Sequence, residues 1–127
     1  MTQIVSCGIM FNKKKQILMG KRAKRGSYPG IWEFPGGKVE EGETLSDCLH
    51  REWKEELNLT ISIERLLTTV TEEDTLCHFF IGEIIDLPNI QINVHDSVDF
   101  YYPHEIKKLL LFDGDEQIID NVLVPFS

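Results

Sequence analysis

The sequence predicts a single α/β domain, with one long helix between short strands and a second helix near the C-terminus. Three observations support this fold class. The chain has 127 residues, a length that suits one domain. Apolar residues recur at helical spacing between positions 45 and 57, and strand-like runs lie on both sides of that segment. Elements that alternate in this way pack as a sheet covered by helices.

The first third of the chain predicts a hairpin and then a loop. Two mostly apolar runs, residues 3–11 and 16–21, are separated by a short polar turn, which is typical of a hairpin. Two glycines and a proline predict a loop over residues 24–30. The next segment, residues 32–37, ends in two consecutive glycines, which permit unusual backbone angles and therefore predict a turn.

The long helix is predicted from its periodicity and from both of its ends. Its apolar positions are Leu45, Cys48, Leu49, Trp53 and Leu57. Residues 43–44 lie at its start, and we expect it to end near Leu57. Asn58 follows, and asparagine is the second choice after glycine for a left-handed residue that closes a helix.

The second half of the chain predicts a further hairpin and a C-terminal helix. Residues 60–70 and 76–85 resemble strands joined by an acidic turn at 72–74, and the charged pair Glu64-Arg65 predicts a bulge in the first strand. The other segments are an ambiguous stretch, a strand, a short helix and an amphipathic helix, at residues 87–94, 97–102, 103–110 and 117–124.

Composition excludes several classes of function. The net charge of −8 opposes binding to a nucleic acid polymer. It also opposes a small phosphorylated ligand, unless a bound divalent cation reverses the local electrostatics. No run approaches the roughly 18 apolar residues of a membrane-spanning helix, and residues 1–5 do not resemble a secretory signal. We therefore expect a cytoplasmic protein without a membrane partner, either a monomer or a homodimer.

Cysteine and histidine spacing predicts neither a disulfide framework nor a zinc site. The three cysteines, Cys7, Cys48 and Cys77, are odd in number and lack CxxC spacing, so we expect three buried free thiols. The four histidines also lack the spacing of metal ligands; they are His50, His78, His95 and His104.

Three glutamates near the end of the predicted helix indicate a cation site. Residues three and four apart are neighbours on a helix, so Glu52 meets both Glu55 and Glu56 on one face. Like charges at this spacing repel by a few tenths of a kcal/mol per pair, and the helix dipole disfavours anions at this end. A hard divalent cation with oxygen ligands removes both costs, whereas a solvated acidic face is the alternative interpretation.

The residues around these glutamates resemble the Nudix box, G-x5-E-x7-R-E-U-x-E-E-x-G-U with U a bulky apolar residue, over residues 37–59. The matching positions are Gly37, Glu43, Arg51, Glu52, Trp53, Glu55, Glu56 and Leu59. Asn58 replaces the late glycine of the pattern, and Trp53 is larger than the usual aliphatic residue. Residues 32–43 resemble the MutT branch of the family. The resemblance implies the Nudix fold, an α/β/α sandwich with a central mixed β-sheet, as one domain over residues 1–127.

The resemblance also implies a reaction, in which water attacks a nucleoside triphosphate with metal assistance and releases a monophosphate and pyrophosphate. It assigns Mg²⁺, or Mn²⁺, to the Gly36 carbonyl and to the carboxylates of Glu52, Glu55 and Glu56. It gives Glu43 and Arg51 the role of bracing the loop and the helix. Phosphate binding falls to Lys38 and Arg22, although an exposed charge at a strand end is the alternative for Arg22.

The resemblance identifies the general base less sharply. Asp99 precedes an aromatic strand segment and is the first candidate, Asp96 is the reserve, and Glu55 or Glu56 orients the water in the alternative mechanism. As a general base, Asp99 would give an Asp99→Asn variant with turnover lowered about 10²-fold or more.

The base pocket is assigned to aromatic residues and to the start of the last helix. Phe34 and Phe79 are candidates for a stacking wall, with core packing expected for Phe79 or its neighbour Phe80. Asp115 and Asp113 are candidates for contacting the base, and helix capping is the alternative for both. The first substrate hypothesis is 8-oxo-dGTP, the second is CTP, dCTP or 5-methyl-dCTP, and ADP-ribose and dinucleoside polyphosphates rank lower. A catalytically silent nucleotide-binding or interaction module is the non-enzyme alternative.

Overall fold

The computed structural model describes residues 2–86, 90–112 and 115–120. The elements are β1 (Gln3–Phe11), β2 (Ile17–Lys21), β3 (Trp32–Glu33), β4 (Gly36–Lys38), α1 (Leu45–Leu57), β5 (Thr60–Glu72), β6 (Thr75–Asp86), β7 (Ser97–Tyr101) and α2 (Pro103–Ile106). Residues 115–120 are also helical. Both predicted hairpin strand pairs and the long helix are therefore present. Part of the ambiguous stretch 87–94 and the end of the predicted C-terminal helix lie outside the described residues.

One mixed sheet organises the described part of the chain into seven strands, in the order β3-β2-β1-β6-β5, with β4 paired to β1 and β7 paired to β2. The β1–β6 pair is parallel, and the other pairs are antiparallel. The sequence predicted neither of the short strands: β4 begins at the glycines where it predicted a turn, and β3 lies just before them. Their extended conformation depends on pairing with β2 and β1, which are distant in sequence.

The ends of α1 agree with the sequence signals. The Thr44 side chain accepts the backbone N–H of Asp47 at 3.0 Å, so it caps the N-terminus of the helix. Asn58 adopts the left-handed conformation with φ 56°, and its backbone N–H bonds to the Lys54 carbonyl. The prediction that asparagine replaces the glycine of the box in this conformation is confirmed.

Helices cover both faces of the sheet. On one face, α1 buries Leu49, Trp53 and Leu57 against Met10 and Leu18 of the sheet. On the opposite face, α2 and the helical residues 115–120 pack on another apolar cluster, whose members include Ile9, Phe79, Ile106, Ile118 and Ile119. The predicted α/β/α sandwich is therefore confirmed. No helix in the described part of the chain is both long enough and apolar enough to cross a membrane.

The β5–β6 hairpin is longer than the sequence predicted. The strands extend to Glu72 and Thr75, and Glu73 in the tight turn has a left-handed φ of 51°. The register shifts between Ile63 and Arg65, which confirms the bulge predicted from the charged pair in the middle of β5.

Candidate active site

The glycine turn after β3 lies against β1 without room for side chains. A Cβ on Gly36 would lie 1.9 Å from the backbone oxygen of Ser6. Gly8 donates to the Pro35 carbonyl and Val39 donates to the Ile4 carbonyl, so hydrogen-bonded pairs alternate on either side of Gly36. The Gly36 carbonyl therefore points away from β1 and stays available to a ligand. The atoms that leave no room for a Cβ at Gly36 belong to the backbone of β1, so the packing of the fold itself requires glycine at this position.

The same turn is fastened to α1. A Cβ on Gly37 would lie 2.3 Å from the carboxyl carbon of Glu52, so only glycine lets that carboxylate rest on the backbone. The fully buried Trp53 donates its indole N–H to the Pro35 carbonyl at 2.9 Å. Gly8 leaves space for this ring, because a Cβ there would lie 2.9 Å from the indole nitrogen. The large side chain of Trp53 and its hydrogen bond to Pro35 thus set the distance between the glycine turn and α1.

Arg51 connects the turn to the glutamates. Its guanidinium donates to both carboxylate oxygens of Glu43, at 2.6 and 3.0 Å, and to the Lys38 carbonyl at 3.1 Å. The Nη1 nitrogen also donates to Glu52 at 2.9 Å and to Glu55 at 3.2 Å. One planar cation therefore orients two of the three helix glutamates, which fits the bracing role that the resemblance implies.

The electrostatics separate the bracing carboxylate from the others. Hydrogen bonds from Arg51 and from the Glu40 backbone lower the pKa of Glu43 to about 2, so this group stays ionised. Burial raises the pKa of Glu52, although the hydrogen bond and charge of Arg51 oppose the shift. Glu43 therefore serves as the ionised partner of the guanidinium, whereas burial makes the ionised form of Glu52 less favourable.

Glu56 is buried, and one of its carboxyl oxygens has no hydrogen-bond partner among the described residues. Its residue exposure is 7%, and its Oε2 atom accepts no hydrogen bond from the described residues. Burial, followed by the charges of Glu52, Glu33 and Glu55, raises its pKa to about 8. A buried carboxyl oxygen without a hydrogen-bond donor costs stability, so the position of Glu56 in the fold calls for a functional explanation.

The three glutamates do not already form a closed cage. Glu55 is 61% exposed and turned toward Arg51, whereas Glu56 faces a cavity. Among the described residues, no group of three or more His, Cys, Asp or Glu side chains is arranged to hold a metal ion. The orphan oxygen of Glu56, the crowded carboxylates and the free Gly36 carbonyl nevertheless form an oxygen-rich set that fits a hard divalent cation.

A cavity of about 300 Å³ lies between the glycine turn and Glu56. Gly36, Gly37 and the exposed Lys38 line one side of it, and Arg22 lines another. Arg22 is held in place, because Nε donates to the Ser27 carbonyl at 2.7 Å and Nη1 donates to Glu33 at 2.8 Å. Nη2 makes no hydrogen bond to a described residue, so it can still meet an anion. The cavity thus combines carboxylates with two cations.

A larger cavity of about 680 Å³ adjoins the first and shares with it the residues Val5, Cys7, Arg22, Glu33 and Phe34. Phe34 and Phe79 contact each other edge to face at 6.0 Å, whereas Phe80 packs on the opposite face of the sheet. Asp115 also lines this cavity and is the first helical residue of the segment 115–120. Its pKa is raised to about 7 by burial and by the charges of Glu33 and Glu72.

The expectation of three buried thiols is corrected for two of the cysteines. All three are free, but only Cys48 is buried, while Cys7 and Cys77 are partly exposed. Both line the larger cavity, because alternate residues of neighbouring strands share one face of the sheet. Local apolar neighbours in sequence did not reveal that this face opens into a cavity.

Asp99 does not reach either cavity. It is exposed on β7, opposite Met19, and its carboxylate accepts the backbone N–H of the next residue, Phe100, at 2.8 Å. The reserve candidate Asp96 is also exposed and lines neither cavity. Asp113 lies outside the described residues. Among the general-base candidates, the structure therefore brings only Glu56 to the smaller cavity.

From this position we expect Asp99→Asn to lower turnover less than threefold, in place of the 10²-fold loss that a general base would give. The Asn side chain keeps the shape of the residue and can still accept the Phe100 N–H. Turnover at saturating nucleotide, measured beside the wild type, tests this expectation. A loss near 10²-fold would restore Asp99 to the mechanism and imply that β7 moves on substrate binding.

Two polar residues of the cavity were missed in the sequence. His95 is 6% exposed and bonds through Nε2 to Glu33 at 2.9 Å, and both residues line the smaller cavity. They are 62 positions apart, so no local pattern links them. That both residues line this cavity follows only from the sheet topology.

Comparison with known proteins agrees with this geometry. An 8-oxo-dGTP diphosphatase of Proteus vulgaris is 33% identical over 69 residues, 54% of this chain, and the match spans only 62% of that protein's length. A CTP pyrophosphohydrolase of Escherichia coli K12 is 24% identical over 94% of this chain and 91% of its own length. The crystal structure of a MutT protein from Methanosarcina mazei Go1 has a TM-score of 0.83 at 20% identity, covering 94% of this chain and 91% of that one, and so has the same fold. The Nudix domain pattern matches residues 1–122, and the chain belongs to the Nudix hydrolase family.

Proposed function

We propose that this protein hydrolyses nucleoside triphosphates to a monophosphate and pyrophosphate, with 8-oxo-dGTP as its substrate. The observation that carries the proposal is the orphan carboxylate oxygen of Glu56, which is buried in the same cavity as Arg22 and Lys38. A buried carboxyl oxygen with no partner among the described residues, beside two cations that suit phosphate, fits a site completed by a metal and a polyphosphate. The adjoining larger cavity has the volume of a small-molecule pocket and takes the nucleoside.

The donor set supports Mg²⁺, or Mn²⁺, as the cofactor. Glu52, Glu55, Glu56 and the Gly36 carbonyl would hold the ion, since all are hard oxygen donors around one end of α1. When bound, the ion polarises phosphoryl oxygens and lowers the pKa of water. Glu55 must leave Arg51 to join this set, and its high exposure leaves it free to do so.

The other residues of the cleft bind and orient the substrate. Arg22 offers its unused Nη2 to a phosphate oxygen, and Lys38 offers a mobile ammonium. Glu43 and Arg51 hold the glycine turn and α1 at a fixed distance, so that the phosphates and the carboxylates meet in one geometry. Phe34 and Phe79 form the apolar wall of the nucleoside half.

The preference for oxidised guanine is inferred from Asp115 and from the relatives. A carboxyl whose pKa is about 7 is present in both its ionised and its protonated form near neutral pH. It can therefore accept from the ring and exocyclic N–H groups of guanine, or donate to a carbonyl oxygen. The Proteus relative is named an 8-oxo-dGTP diphosphatase and is 33% identical to this chain over 69 residues.

A cytosine nucleotide is the second candidate, favoured by a different observation. The CTP pyrophosphohydrolase of E. coli matches 94% of this chain, whereas the Proteus relative matches 54%. An aspartate also suits the exocyclic amino group of cytosine. The two candidates differ in ring size and in the 8-oxo group, so they are separable by kinetics.

The deciding experiment measures pyrophosphate release and kcat/KM with Mg²⁺ for dGTP, 8-oxo-dGTP, CTP, dCTP and 5-methyl-dCTP. The proposal expects the highest value for 8-oxo-dGTP. A higher value for a cytosine nucleotide would select the second candidate, and equal values would indicate a general pyrophosphatase. Binding of these nucleotides without any release would indicate the silent module.

A further inference from the structure

The buried imidazole of His95 packs against Gly20, which leaves room for the ring because it has no side chain. The His95 side chain is 1% exposed, and the ring lies directly on Gly20 of β2. A Cβ on Gly20 would lie 2.5 Å from the Cδ2 atom of the ring. Only glycine at this position therefore allows the imidazole to lie flat against the strand.

In this position against Gly20, the ring makes one polar contact. Nε2 bonds to Oε2 of Glu33 at 2.9 Å, while Nδ1 is buried and meets no hydrogen-bonding partner among the described residues. Because a carboxylate oxygen accepts, this contact uses the tautomer in which Nε2 carries the proton and donates it. A histidine satisfied on both sides would suggest simple core packing, but this ring is satisfied only toward Glu33.

Glu33 binds His95 with one carboxylate oxygen and Arg22 with the other. Its other oxygen, Oε1, accepts from Nη1 of Arg22 at 2.8 Å, and the guanidinium lies 5.8 Å from the centroid of the Phe112 ring. The carboxylate is thus held between an imidazole and a guanidinium. Nε also donates to the Ser27 carbonyl. The two hydrogen bonds together fix the plane of the guanidinium, and they therefore fix the direction in which Nη2 points.

The loop that carries His95 is itself anchored to the catalytic helix. Gln91 donates to the Leu57 carbonyl at 3.0 Å, and Asn93 donates to the Glu56 carbonyl at 3.1 Å through its backbone and to the Glu55 carbonyl at 2.8 Å through its side chain. These bonds satisfy carbonyls at the end of α1 that have no partner within the helix.

The other end of the loop is anchored to the strand that leads to Arg22. Asp96 donates its backbone N–H to the Lys21 carbonyl at 2.9 Å. The loop 90–96 therefore spans the distance between the helix that carries the carboxylates and the strand end that carries the phosphate-binding cation.

We propose that His95 is a positioning residue for phosphate binding, which acts through Glu33 to aim Arg22 at the polyphosphate. The inference rests on the proposed function only in taking the ligand to be a polyphosphate. The loop sets the distance between Arg22 and the glutamates of α1, and the packing against Gly20 sets the orientation of the imidazole. A ring that only filled space would not need its Nε2 donor.

The test measures the binding of inorganic pyrophosphate, with Mg²⁺, by calorimetry. His95→Phe keeps the ring volume and removes the donor, so we expect the Kd to rise about tenfold, as is usual when an orienting partner is lost. His95→Gln places an amide donor near the position of Nε2, and we expect its Kd to stay within threefold of the wild type. His104→Phe, an exposed ring on α2, is the matched control and should leave the Kd unchanged.

Coupling to Arg22 separates positioning from packing. In the Arg22→Ala background, His95→Phe should change the Kd by less than twofold, because the residue it positions is gone. A full tenfold effect in that background, or none in the wild-type background, would overturn the proposal. If His95→Phe does not fold, His95→Asn replaces it, since its shorter amide does not reach Glu33, and the same two outcomes decide.

A failure of this inference is distinguishable from a failure of the proposed function. Wild-type protein that binds pyrophosphate but turns over no nucleoside triphosphate would remove the proposed reaction and leave the coupling test valid. Gly20→Ala provides an independent check, because its Cβ must displace the ring. We expect it to raise the Kd for pyrophosphate about tenfold without adding to the effect of His95→Phe, and additive effects would contradict the inference.

Discussion

Glu56→Gln is expected to lower turnover about 10²–10³-fold and, in the absence of metal, to make the protein more stable. Activity falls because the amide cannot replace the anionic oxygen that the proposed metal site requires. Stability rises because the wild type buries a carboxyl whose Oε2 has no partner among the described residues, with three other carboxylates nearby. A residue that the fold tolerates at a cost, and that the chemistry needs, should show these opposite effects.

The stability gain should depend on pH in a defined direction. The pKa of Glu56 is about 8 in the folded protein, against an ordinary value of 4.5 for an unfolded chain. Between these values the folded state holds a proton that the unfolded state has released, so the free energy of unfolding falls as the pH rises. Glutamine does not titrate. The variant should equal the wild type near pH 4 and exceed it by about 1–3 kcal/mol at pH 7.

Chemical denaturation in EDTA across pH 4 to 9 measures this difference, and kinetics with Mg²⁺ measure the activity. Glu64→Gln, an exposed glutamate of β5, is the matched control and should change neither quantity. Added Mg²⁺ should then raise the melting temperature of the wild type more than that of Glu56→Gln, because only the wild type keeps the ligand. Turnover within tenfold of the wild type would contradict the assignment of Glu56.

The parts of the fold and site that the sequence predicted depend on local signals. Helical periodicity, the Thr44 cap and the left-handed Asn58 all act within one turn of the chain, so α1 was predictable to within a residue or two. The positions of Glu52 and Glu56 followed from the helix. The resemblance to the Nudix box added the roles, and the bonds of Arg51 to Glu43 agree with the role it implied.

The parts that the sequence did not predict depend on pairing between strands that are distant in sequence. Asp99 pairs with Met19, which packs in the same apolar cluster as Phe34 and Phe79, so Asp99 lies on the face of the sheet that carries the cavities. It lines neither cavity, because β7 is paired to β2 and not to β1 or β6, whose residues line the larger one. The contact of His95 with Glu33 needs β2, β3 and the loop 90–96 to be in place together. Helix geometry also placed the three glutamates on one face but did not show that Arg51 draws two of them away from the third.

The second large effect is expected at Asp115, in the larger cavity. Helix capping and base recognition were both open interpretations of this residue, and the structure makes them separable. Asp115 is 7% exposed, lines the larger cavity, and receives no hydrogen bond to its side chain from a described residue. Its carboxyl is therefore available to a ligand. We expect Asp115→Leu to lower kcat/KM for the preferred nucleotide about 10²-fold or more, because the base loses its polar partner in a buried pocket.

Asp115→Asn should behave differently, because asparagine retains one acceptor and gains donors in nearly the same shape. We expect its kcat/KM to stay within tenfold of the wild type. The wild-type pKa of about 7 should make KM change between pH 6 and 8, and the Asn variant should lose that change, since it has no proton to exchange. Asp120→Leu, an exposed aspartate in the same helical segment, is the matched control and should leave KM unaltered.

Stability distinguishes base recognition from capping in the same variants. The raised pKa of Asp115 means that the folded protein retains a proton between pH 3.8 and about 7 that the unfolded chain has released, so the free energy of unfolding falls as the pH rises through that window. Removal of this carboxyl should then leave the free energy of unfolding at pH 7 unchanged or higher. A cap would behave in the opposite way, since its loss costs about 1 kcal/mol and does not affect KM. A less stable Asp115→Leu variant with a normal KM would therefore assign this residue to the helix, and the base would have to be read by another side chain of the larger cavity.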